Sequence, residues 1–118
     1  MEIKKIPDRD VLQAVYDQGE TSRENLLAQR EQVAEAIAGY GIRKVLVDAT
    51  ALGAFPSSPV TLEHNVSISS DPRFYGVMFA VVCNELGERE RFVETTGLNR
   101  AVTIRCFTSR REALEWLE

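Results

Sequence analysis

Few residues in this chain have the type and spacing to do chemistry, and two adjacent serines stand out among them. Ser57 and Ser58 sit between Pro56 and Pro59 in the stretch VLVDATALGAFPSSPVTLEHNV, Val45 to Val66. A hydroxyl pair in such a loop has two uses. Ser58 before Pro59 fits a helix N-cap followed by proline at the first helical position. Either hydroxyl is also a phosphate acceptor, and a phosphate at a helix N-terminus is electrostatically favoured and changes the surface that a partner meets. The two roles are compatible, because a capping serine can also be modified.

The remaining candidates are weaker. Asp48 ends an apolar run, where open α/β sheets place ligands, and it suits a cap on the following loop better still. His64 is the single histidine. It reads as an ordinary polar residue on a marginal helix, with a general base at the loop side of the sheet as the alternative; it has no nucleophile at a catalytic spacing and no partner at metal-ligand spacing. Cys83 and Cys106 lie inside the apolar runs MFAVVC and AVTIRC, with no CxxC. They read as reduced, buried thiols, with a disulfide or redox pair as the alternative. Glu85 and Glu88 suit the first turn of a helix. NELGERE has one glycine and is no phosphate-binding loop. The expectation is a non-enzymatic protein with no cofactor and no metal.

The totals agree with this. A chain of 118 residues suits one domain with a proper core. A net charge of −4 and a pI near 5.1 argue against a nucleic-acid binder. Arg89, Arg91, Arg100, Arg105, Arg110 and Arg111 cluster in the last third, where they read mostly as solvated helix surface. No run approaches the ~18 apolar residues of a membrane span. The stretch MEIKKIPDRD lacks the apolar core of a signal peptide, so the cytoplasm is the expected compartment.

The elements that must position these residues follow from periodicity. MEIKKI and VLQAVYDQ, separated by the turn residues PDRD, read as a hairpin. In GETSRENLLAQREQVAEAIAGYG, Thr21 and Glu24 form a capping box. Leu26, Leu27, Val33, Ala34, Ile37 and Tyr40 fall on one helical face, which Arg30 interrupts with a stem that can lie along it. Gly41 closes that helix. IRKVLVDA is a central strand, buried on both faces. PVTLEHNVSISS is a weak helix, and Asp71-Pro72 is a break. YGVMFAVVCN is a strand, ELGERERFVETTGLNR a helix and AVTIRCF a strand. TSRREALEWLE is a last helix, capped by Ser109 with Glu112 and facing inward through Ala113, Leu114, Trp116 and Leu117. The order ββαβ(α)βαβα implies an α/β fold. A mixed sheet, with an N-terminal hairpin and parallel strands, carries the helices.

That order, the strand KVLVDAT and the ending FAVVC…ERFVETTGLNRAVTIRCFTSRREALEWL resemble the SpoIIAA-like branch of the STAS superfamily over nearly the whole chain. In the anti-sigma-factor antagonists of that superfamily, the strand matching VLVD leads to a D-S-S-G pattern at a helix start, where a partner kinase phosphorylates one serine. The resemblance implies that Ser57 and Ser58 are the equivalent residues, with Pro56 and Pro59 in place of the family's Asp and Gly. The branch is also similar to the lipid-binding CRAL-TRIO domains, which implies an apolar ligand.

Two functional expectations result. One is a regulatory interaction module that docks an unidentified protein through the loop 49–58 and the following helix surface, with Asp48 and Phe55 in reach. The other is a carrier of a small apolar molecule, with Val60, Leu62, Val66, Ile68, Phe74 and Tyr75 lining a pocket or simply filling the core. Self-association as a homodimer suits either, through an edge strand from MEIKKI or the face of 59–70. Lys4 and Lys5 equally suit protection of that edge.

Overall fold

The apolar runs pair into one five-stranded sheet, in the order β1-β2-β3-β4-β5. The computed structural model describes residues 2–16, 23–50, 71–84 and 103–118, the side chains of Arg23, Asn25 and Leu26 excepted. β1 (Glu2–Lys5) and β2 (Leu12–Val15) form the antiparallel hairpin. β3 (Lys44–Asp48), β4 (Met78–Val82) and β5 (Thr103–Phe107) then add in parallel. The fold is thus α/β with a mixed sheet, as the alternation of elements predicts.

The hairpin turns at Asp8, whose φ of 65° is in the left-handed region that Asp tolerates. Ile6 N–H donates to the Val11 carbonyl at 2.9 Å and carries the ladder past β1. Among the described residues, two helices pack on the sheet. α1 (Arg23–Tyr40) lies on one face and α2 (Arg110–Leu117) on the other. Under α1, Val33, Ala34 and Ile37 share a core with Leu12, Ala14, Val45, Val47, Phe79, Val81, Ile104 and Cys106. Under α2, Ala113 and Leu117 pack with Leu46, Ala80, Val82 and Phe107. Successive strand residues point to opposite faces, so burial on both sides is what makes VLV and FAVV continuously apolar rather than alternating.

The helix ends follow their local signals. Ser109 Oγ accepts from Glu112 N–H at 3.3 Å, which caps α2. Gly41 ends α1 at a φ of +69°, with its N–H donating to the Ile37 carbonyl at 2.8 Å. The inner face of α1 is narrower than its apolar spacing predicts. Leu27, at the flank of the stripe, and Tyr40, in the last turn, are exposed. Gln29, at 3% exposure, is buried instead. Arg30 behaves as expected: half-buried on that face, it sends its guanidinium out to Glu31 at 3.1 Å. In α2, Ala113 and Leu117 are fully buried, while Leu114 and Trp116 pack at the margin. Trp116 meets the Phe107 ring at 5.8 Å, and the Arg105 guanidinium lies 5.4 Å from the centroid of that same ring.

Both cysteines are buried and form no disulfide, as the sequence predicts. The register opposes Cys106 to Val81, two residues before Cys83. The two Cα atoms are therefore roughly 8 Å apart, beyond the reach of a disulfide. The capping residue Thr21, Leu26 as an inner-face side chain, and the helices expected in 59–70 and 85–100 lie outside the described residues.

Leu117 is fully buried against β4, so Leu117→Ala should lower stability by about 2–5 kcal/mol. Ser109→Ala should cost about 1 kcal/mol through loss of the cap. Urea denaturation of the two variants checks both values and their order.

Candidate interaction site

Parallel strands have two chemically different ends, and the candidate residues divide between them. At the carboxyl end, Asp48 closes β3. Its carbonyl accepts from Tyr16 N–H at 3.0 Å, which holds β2 against β3 beyond the strand itself. Its half-buried carboxylate turns back on the chain: Oδ1 accepts from Thr50 N–H at 3.0 Å and from the Thr50 hydroxyl at 2.6 Å. Asn84, one residue beyond the Cys83 that follows β4, donates its side-chain amide to the Thr50 carbonyl at 2.9 Å. Ala49 N–H reaches Val82, and Cys83 N–H reaches Phe107, at 2.9 and 2.8 Å. The ends of β2, β3, β4 and β5 are thereby tied into one edge. Asp48 fills the role of a local turn cap, because an aspartate readily accepts from the backbone two residues on.

At the amino end, the chain enters β4 through a single 3-10 turn, Pro72–Phe74. Asp71 caps it, accepting from Arg73 N–H at 3.0 Å. Pro72 suits the first position of such a turn because its missing N–H is not needed there. Phe74 turns inward, is 1% exposed and meets Phe79 at 6.1 Å between ring centroids. Tyr75, the next residue, is 57% exposed. The backbone then turns at Gly76, with a φ of +78°.

An ion-pair cluster anchors this turn to α1. Arg73 grips Glu31 with both terminal nitrogens, each at 2.9 Å, and holds Asp71 through Nε at 2.9–3.0 Å and Nη2 at 2.5 Å. Such a two-pronged geometry is the strong form of an arginine–carboxylate pair. The Arg73 guanidinium, and after it Arg30, hold the Glu31 carboxyl down at about 2. Hydrogen bonding to Arg73 lowers Asp71 as well, and the two carboxylates raise Arg73 in turn. Beside the cluster lies a shallow groove of about 320 Å³, lined by Ala34, Ile37, Ala38, Gly41, Arg43 and Arg73. Arg43, which also lines it, donates to the Tyr75 carbonyl.

The structure places the described candidate residues at the two ends of the sheet. Asp48 sits at one end of β3, while Phe74 and Tyr75 precede β4 at the other. The span from Lys44 to Asp48 alone is roughly 13 Å. Phe74 belongs to the core beneath α1, and Tyr75 is a surface side chain. Ser57, Ser58, Phe55, Val60, Leu62, Val66, Ile68, His64, Glu85 and Glu88 lie outside the described residues. The Arg73 cluster has no counterpart in the sequence reading. Arg73 and Glu31 are 42 residues apart, and a lone arginine after Asp-Pro carries no signal of which helix it will meet.

No protein-family model matches this chain, and no curated protein matches it. Among solved structures, its fold is similar to the NMR structure of the protein TM1081, with a TM-score of 0.61 and 25% sequence identity. The likeness covers 98% of this chain and 86% of that one, so it concerns the whole architecture.

The cluster gives a signed pH dependence. The folded-state value of Glu31 lies below its ordinary 4.5, so its contribution to stability is complete above pH 4.5 and is lost as the pH falls toward about 2. Glu31→Gln should lower the urea midpoint slightly near neutrality, because the pair is solvent-accessible. The gap to the parent protein should close across that acid window. Midpoints measured for both proteins at several pH values check the direction.

Proposed function

We propose that this protein is a non-enzymatic regulatory module that docks a protein partner through the carboxyl end of its parallel strands and the 51–70 segment that leaves it. The observation that carries the reading is the engagement of Asp48. Its carboxylate accepts twice from Thr50, while Asn84 fixes the Thr50 carbonyl. Among the described residues, these three polar side chains shape the edge itself. Open α/β sheets place their binding surfaces there. The two buried thiols are likewise packed into the core rather than offered to a substrate.

The resemblance to anti-sigma-factor antagonists supplies the regulation. Ser57 and Ser58 follow Asp48 within ten residues, 58 − 48, on the segment leaving that edge. Phosphorylation of either adds close to two negative charges, and these block docking by repulsion and by the cost of desolvation.

A second reading, carriage of a small apolar molecule, has one observation in its favour: the groove floored by Ala34, Ile37 and Ala38. Its volume is at the lower limit for a ligand pocket, about 300 Å³.

The native mass spectrum of the protein purified from its own host separates the two. Phosphate located to Ser57 or Ser58 is the expected result, and Asp at both serines should then release a partner that co-purifies with the parent chain. Unmodified serines, with partner binding indifferent to Asp, would end the phosphorylation reading. A retained apolar adduct would put the carrier first.

A further inference from the structure

The outer edge of β1 is a strand edge with a chemical preference, and we infer that it pairs with the β1 of a second copy of this chain across a two-fold axis. β1 stands at the end of the sheet order, and among the described residues no strand pairs with its outer side. The hairpin ladder fixes which backbone groups face outward. Ile6 N–H bonds inward to Val11, so Lys4 and Glu2, which share its parity, also bond toward β2. The N–H and C=O of Ile3 and Lys5 therefore point away from the sheet.

A two-fold axis normal to the sheet makes the two β1 strands antiparallel and opposes residues whose numbers have an even sum. Four registers exist, centred on Glu2, Ile3, Lys4 or Lys5. Three of them set a charge against its own copy at the centre. The register centred on Ile3 does not. It opposes Ile3 to Ile3 through a reciprocal pair of backbone hydrogen bonds, using the groups that face outward. On either side it opposes Glu2 to Lys4 and Lys4 to Glu2. These two are the non-hydrogen-bonded positions, where side chains approach most closely. Both side chains are exposed, over 74% and 61% of their surfaces, and within one chain Lys4 Nζ lies 4.0 Å from Glu2 Oε1, so pairing across the axis exchanges that contact within each copy for the two between copies. Ile3 is on the α1 side and packs against the core there, so the apolar cluster continues through the Ile3 pair.

Lysines on an edge strand usually repel other strands. Here Glu2, on the same face two residues before Lys4, turns that repulsion into selection of one register. The occupant is a second copy because the edge complements itself. The inference does not depend on the phosphorylation reading, since β1 is separated from β3 by β2.

Sedimentation equilibrium of the full chain tests it, with Glu2→Lys, Lys4→Glu and the two combined. The parent should approach twice 13.2 kDa with rising concentration. Each single change sets like charges opposite each other at both symmetric positions and should weaken association roughly tenfold or more. The combined change restores the pairing in reverse and should recover it. The Ile3 amide should also exchange more slowly as the parent associates. A parent that stays monomeric at high concentration would overturn the inference. So would a dimer indifferent to all three variants, or a combined variant no better than the singles.

Discussion

Burial of β3 and β4 on both faces is the constraint on which the rest of this structure depends. Val45 and Val47 face α1 and Leu46 faces α2, while Phe79 and Val81 repeat the first direction and Ala80 and Val82 the second. A parallel pair buried on both sides cannot turn to solvent anywhere along its length, so each face needs a cover. Among the described residues, the cover on one side is an 18-residue helix that lies against β1, β2 and the 3-10 turn, and on the other an 8-residue helix that reaches β3, β4 and β5. The small Ala80 lets α2 lie close to the sheet, and Ala113 answers it from the helix side. The arrangement leaves β1 as the polar margin of the sheet, with only Ile3 half-buried among its four residues.

Because the strands are parallel, their ends are chemically unequal. The carboxyl end is organised by neutral and singly charged groups that bond to the backbone: Asp48, Thr50 and Asn84. The amino end is organised by charge, with Arg73 between two carboxylates. The first arrangement fixes where the chain leaves the sheet. The second fixes where it returns, because Arg73 ties the 3-10 turn to α1 while Phe74 is driven into the core beneath. A turn of three residues has little stability of its own, and the buried ring and the anchored arginine together hold it in place.

The likeness to TM1081 extends over the whole chain, and it concerns architecture. Function must be argued from sites, because one architecture hosts many activities. The regulatory proposal accordingly rests on the Asp48 edge and on the serines that the sequence places after it.

The sequence by itself determined the strands, the hairpin, the end of α1 at Gly41 and the cap of α2 at Ser109. Each is written in a window shorter than a dozen residues: a run of Val, Leu and Phe, a turn of Pro and Asp, a serine three places before a glutamate. It also determined that both cysteines are internal, since each sits in an apolar strand. Tertiary structure decided what depends on distant partners. It placed Asp48 and the Phe74–Tyr75 pair at opposite ends of the sheet, because direction along a parallel strand is set by the crossovers. It exposed Leu27 and Tyr40 and buried Gln29, because a helix buries what its neighbours cover rather than its full apolar stripe. It created the Arg73 cluster and the outward polarity of Ile3. In both, the deciding contact joins segments that are remote in the chain or is fixed by the register of a neighbouring strand, and neither leaves a trace in local spacing.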